Sequence, residues 1–254
     1  MVSVSLVTSC CSTTQTLKAA SGPPCLDVQR ENMTYLELFE RVAEHVRRQG
    51  VKVRFERGEP LTPVAIELER AQAFIPFPPS LLDLYAEIGS GMEFAWSSKD
   101  NDRLFANHEI PRIEECAPKS FDNVSWLPEW QDDNEFPHVK DPALAKKTAL
   151  KMRAWLRFIS IGNGDSFCLD TSRDPSPVLF NKHDWFDGGT GENGHQIADS
   201  LWDFYSQWAQ VCFQFPRSLW WPVVFNKTGV GIDWASEEFQ EPFRLPTVER
   251  SGTA

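Results

Sequence analysis

The stretch Phe158-Ile-Ser-Ile-Gly-Asn-Gly-Asp-Ser-Phe-Cys-Leu-Asp170 decides how the chain reads. Phe158, Ile159 and Ile161 suit a buried strand. Gly162-Asn-Gly164 tolerates positive φ, so the chain can reverse there. Phe167, Cys168 and Leu169 resume an extended run, which Asp170-Thr-Ser-Arg-Asp-Pro175 breaks. Val178-Leu-Phe180 is a third apolar run, and Asn181-Lys-His-Asp-Trp185 follows it. The expectation is a meander of three short strands with polar residues gathered at their ends. That pattern identifies sheet core and by itself carries no chemistry.

Downstream, Gly188-Gly-Thr-Gly191 and Gly194 suggest a flexible loop. Ile197, Leu201, Phe204, Tyr205, Trp208, Val211 and Cys212 then fall on one side of a helix, with Trp202 off that stripe. Leu219 to Phe225, Asn226 to Gly229 and Val230 to Trp234 read as a hairpin, and the tail after Glu237 as loose. Upstream, Pro142 to Arg153 reads as a basic helix or connector. Residues 103–140, with several prolines and the run Trp130-Gln-Asp-Asp-Asn-Glu135, read as a long loop or insertion.

The N-terminal part begins with residues 1–31, rich in Ser and Thr and without a periodic apolar face, which are expected to be disordered. Thr34 and Glu37 form a capping box ahead of the stripe Tyr35, Leu38, Phe39, Val42 and Val46. Gly50 ends that helix, and Val51 to Phe55 alternates as a half-exposed strand. Thr62-Pro63 opens a short helix on which Val64, Leu68 and Ala71 share a face. Pro79-Ser80 opens another, with Leu81, Leu84, Tyr85 and Ile88 inward and Gly89-Ser-Gly91 as its stop. Met92 to Trp96 is strand-like.

Length and composition bound the function. A chain of 254 residues supports one sizeable core. Ten Trp and 18 Phe place rings either in that core or on a partner surface. A net charge of −11 opposes nucleic acid or an anionic membrane as main partner and suits a basic protein. No apolar run reaches the roughly 18–20 residues of a membrane span. The six Cys show no zinc or Cys-x-x-Cys spacing. They read as reduced thiols of a cytoplasmic protein, with Cys168 and Cys212 in the core. Val7-Thr-Ser-Cys10 looks like a lipoprotein cleavage box, but no Lys or Arg precedes Lys18, so a leader of another kind is preferred.

Two blocks, Phe77-Pro-Pro-Ser to Gly91 and Phe158 to Asp184 with the helix around Ser200-Leu-Trp-Asp-Phe204, together resemble the SUKH superfamily, the Smi/Knr-like proteins. Pro79 matches the helix-opening proline of that family. Gly89 or Gly91 matches its stop, with Gly-Ser-Gly standing where Asn-Gly is usual. Gly164-Asp165 matches the turn, Asp170 the strand end, and His183-Asp184 the closing pair. The resemblance covers roughly residues 62–212. It implies an α+β fold, a mixed and largely antiparallel sheet with helices packed beside it. The expected layout is a leader over 1–31, an added helix and strand over 32–60, the SUKH domain over 61–215 and a C-terminal extension over 216–254. The resemblance also implies a non-enzymatic protein-binding role without cofactor. That role is an immunity protein silencing a cognate toxin, often a nuclease, or else a regulatory adaptor in cell-wall assembly or signalling.

Residue chemistry supplies candidates for both a site and a surface. If Asp165, Asp170, His183 and Asp184 converge at one end of the sheet, they make a metal or acid–base site of hydrolase type. The plainer reading is that they satisfy backbone donors in turns. No nucleophile motif, phosphate loop or zinc spacing supports catalysis, and no catalytic, cofactor or metal residue is assigned. For binding, Asp132, Asp133 and Glu135, flanked by Trp126 and Trp130, suit a basic partner surface. Trp202 is a second candidate anchor.

Overall fold

A computed structural model describes residues 33–73, 75–98, 101–116, 142–183, 192–227, 229–239 and 243–245. Thr34–Ala254 forms one compact unit, to which everything below refers. The leader expected over 1–31 lies outside the described residues.

Helix α1 (Tyr35–Arg48) begins with the expected capping box. Thr34 Oγ1 accepts from the Glu37 N–H, and the Glu37 carboxylate accepts from the Thr34 N–H at 2.8 Å. Its buried stripe is Tyr35, Leu38, Phe39, Val42, Ala43 and Val46. Strand β1 (Val53–Arg57) starts two residues later than the alternation suggested. It pairs antiparallel with β2 (Met92–Ser98), which pairs antiparallel with β3 (Asn101–Ile110). Strand β3 therefore occupies part of the stretch read as a long loop. Along Ala106-Asn-His-Glu-Ile110 burial alternates residue by residue, and the middle inward position is a histidine. A polar residue facing the core hid the strand's period of two.

Helix α2 (Pro63–Gln72) is capped by Thr62, whose Oγ1 accepts from the Ala65 N–H. The apolar face that Val64, Leu68 and Ala71 share is not the one it buries. Val64 and Leu68 are 79% and 55% exposed, Ala71 is exposed, and Ile66 is the buried residue. At 100° per residue Ile66 stands roughly opposite Val64, so packing against the unit chose the shorter apolar line. Helix α3 (Pro79–Ile88) buries Leu81, Leu84, Tyr85 and Ile88 as expected. Gly89 stops it with φ of 86°, and a Cβ there would meet the Gly58 carbonyl oxygen at 2.6 Å. Gly91 lies under β3, where a Cβ would meet the Ile110 carbonyl oxygen at 3.0 Å. Gly89 and Gly91 are thus both held to glycine by the close approach of neighbouring backbone. A further helix, α4, is described over 113–116.

Helix α5 (Pro142–Met152) leads into β4 (Trp155–Ser160), β5 (Ser166–Asp170), β6 (Val178–Asn181) and β7 (Gln196–Ala198). These form a four-stranded sheet in chain order, all antiparallel. The meander is as read. Ile197, however, belongs to β7, because Ser200 caps α6 (Leu201–Ala209) by accepting from the Asp203 N–H. The α+β class holds, with the described strands divided between two antiparallel sheets in place of one mixed sheet.

The C-terminal hairpin is reduced to a single antiparallel pair. A 3₁₀ turn covers Trp221–Val224, and one bridge, Phe225 to Ile232, replaces a ladder. Pro222 has no N–H to give a ladder, and Gly229 and Gly231 take positive φ. Helix α6 ties the sheets together. Trp208 meets His108 of β3 at 4.8 Å between ring centroids and Phe167 of β5 at 6.1 Å. Past α6, Cys212 and Phe213 both take positive φ. The Trp96 Nε1–H donates to the Cys212 carbonyl and the Trp208 Nε1–H to the Gln214 carbonyl, which hold that turn.

Candidate functional site

The polar end of the four-stranded sheet is built by the turn between β4 and β5. The Gly164 N–H donates to the Ile161 carbonyl, and the Ile161 N–H to the Asp165 carbonyl. Gly164 has φ of 97°, and a Cβ there would meet His183 Cγ at 2.9 Å, so the imidazole lies directly on the turn. The Asp165 side chain is 1% exposed and that of His183 is 50% exposed. One Asp165 oxygen accepts from the His183 N–H at 3.0 Å and contacts His183 Nδ1 at 2.9 Å. The other accepts from Asn163 Nδ2 at 2.7 Å. A buried carboxylate therefore orients a half-exposed imidazole, and its oxygens are used in closing the turn and anchoring the end of β6.

Behind this pair, Asn181 Nδ2 donates to Ser166 Oγ, and Ser166 Oγ lies 3.7 Å from Cys168 Sγ. Burial pushes the Cys168 thiol up to about 12, so it stays protonated and unreactive at neutral pH.

The structure does not bring Asp170 to this end. It closes the opposite end of β5, about 16 Å along the strand at ~3.3 Å per residue. Its carboxylate accepts from the Ser172 N–H, the Ser172 hydroxyl and Arg173 Nε. Asp165 and Asp170 both do turn work, so the hydrolase cluster is not assembled from them. Asp184 lies outside the described residues. Among the described residues no group of three or more His, Cys, Asp or Glu is placed to hold a metal ion.

The candidate binding residues divide in the same way. Trp126, Trp130, Asp132, Asp133 and Glu135 lie outside the described residues. Trp202 is half-buried and packs edge-on against Tyr35 of α1 at 5.1 Å, so it flanks the core stripe and does not project as an anchor.

A surface that the sequence reading did not single out stands beside His183. Lys182 Nζ pairs with Glu192 at 3.2 Å and lies 5.2 Å over the Trp220 ring. In the 3₁₀ turn, residues three apart share a side. Trp221 and Val224 are buried, which turns Trp220 and Val223 outward. Leu219, Trp220 and Val223 are 48%, 39% and 53% exposed. The segment is held down around them. His195 stacks on Phe225 at 4.4 Å, and the Gly231 N–H donates to the Gln196 carbonyl. One sequence signal was available: from Phe215 to Ile232 this acidic chain has Arg217 and Lys227 but no Asp or Glu.

No protein-family model and no curated protein matches the chain. No helix among the described residues is long and apolar enough to cross a membrane.

Proposed function

We propose that the chain is a protein-binding module of SUKH kind, without a catalytic role, acting as an immunity protein on a cognate toxin domain. The observation that carries this reading is the exposed apolar face of Leu219, Trp220 and Val223, held out on a braced turn beside Lys182 and His183. A Trp on a rigid support is a good anchor, because little conformational entropy remains to be lost on docking. The engagement of Asp165 and Asp170 in turns fits a scaffold better than a hydrolase. The net charge of −11 draws a basic partner toward the chain as a whole, while the apolar face around Trp220 supplies the contact on docking.

The test is capture. Tagged chain is passed through native lysate at low salt, and proteins recovered at near-equal amount are identified. A basic toxin domain, released by salt and held at least about tenfold more weakly by Trp220→Ala, is the expected result. Recovery of a signalling or cell-wall enzyme would move the reading to the adaptor. Equal capture by the wild-type chain and Trp220→Ala would remove this face from the account.

A further inference from the structure

His108 sits near the C-terminal end of β3 with no exposure, and neither ring nitrogen has a hydrogen-bond partner among the described residues. The groups around it come from every neighbouring layer. From α1 comes Phe39, at 6.1 Å between centroids. From α6 come Tyr205 at 5.6 Å and Trp208 at 4.8 Å. From the turn after α6 comes Phe213 at 6.2 Å, and Phe94 of β2 is its cross-strand partner.

Tyr205 is the titratable member of this ring set. Its hydroxyl also has no hydrogen-bond partner among the described residues, and burial pushes its phenol well above the usual 10, so it is neutral throughout the acid range. The described rings facing His108 therefore bring no carboxylate to balance an imidazolium. A buried charge without a partner is among the costliest things a core can hold, and the ring faces recover only part of that cost.

We propose that His108 is an acid trigger set at the joint of β3, α1 and α6. While its imidazole is neutral the joint stays closed, and acidification opens it because the proton can be taken up only by a solvated ring. The sign follows from linkage. Burial lowers the native pKa from 6.5 to about 3, while the unfolded chain keeps the ordinary value near 6.5. Below about pH 6.5 the unfolded state binds one proton that the native state does not. The unfolding constant then gains about tenfold per pH unit until the native pKa is reached. Stability is complete above the unfolded pKa and drains away as pH falls toward 3. Because α6 packs on both sheets through Trp208, loss of this joint loosens the whole unit and not one edge.

The experiment is urea unfolding of the full chain at pH 7.5, 6.5, 5.5 and 4.5, comparing the wild type with His108→Phe. Carboxylates contribute to both, as does His45, which burial and then Arg48 also lower. The difference between the two proteins isolates His108. The expected result is a wild-type unfolding constant that rises about tenfold more per pH unit below 6.5 than that of His108→Phe. Parallel pH dependences would overturn the proposal. Should His108→Phe fail to fold, the wild-type imidazole is followed by proton NMR. Its native signal is expected to stay fixed down to the onset of unfolding, and a native titration near pH 6.5 would equally overturn the idea.

Discussion

Asp165 holds the polar end of the sheet because its buried oxygens take partners from the β4–β5 turn and from the segment just after β6. Removing it by Asp165→Ala leaves the His183 N–H and Asn163 without their acceptor. The expected loss is about 1–3 kcal/mol in urea unfolding. His183→Ala, at a half-exposed side chain, should cost less than about 1 kcal/mol. Equal losses would mean that the imidazole, and not the backbone anchor, is what Asp165 supports. Gly164→Ala meets two penalties, a φ of 97° and the His183 ring at 2.9 Å. It should cost more than about 1 kcal/mol, read as a lowered Tm. Asp165 was legible as a turn residue from Gly-Asn-Gly-Asp alone. Its partner was not, because His183 lies 18 residues away and meets it only through strand pairing.

Elements differ in how far their own residues specify them. Helix α1 carries its start signal and its whole inner face in sequence, so Thr34→Ala should remove a measurable cap, about 1 kcal/mol by thermal unfolding. Helix α2 has a clear start at Thr62 but too few apolar residues to define a face. Lysine at Val64 or Leu68 should leave stability within about 0.5 kcal/mol, whereas Ile66→Ala should cost about 2 kcal/mol. The opposite ordering would restore the face that helical spacing alone suggests. Strand β3 shows the complementary problem, since its inward histidine breaks the apolar alternation that marks a half-buried strand. The 3₁₀ turn at Trp221–Val224 replaced the first strand of the hairpin because Pro222 cannot join a ladder.

At the scale of the whole molecule, two antiparallel sheets share one aromatic core through α6. Trp208→Ala should therefore cost about 3–5 kcal/mol and lower near-UV and far-UV circular dichroism transitions together. Separate transitions would show that each sheet stands alone. By itself the sequence determined α1, α3, the β4 to β6 meander and their caps and turns. Those features rest on contacts a few residues apart or between neighbouring strands, so periodicity and turn chemistry record them. Tertiary structure alone decided the division into two sheets and the face α2 buries. It also decided the outward turn of Trp220 and Val223 and the burial of His108. Each of these depends on which distant segments compete for the same buried area, and burial is a property of the assembled core that no local stretch of chain encodes.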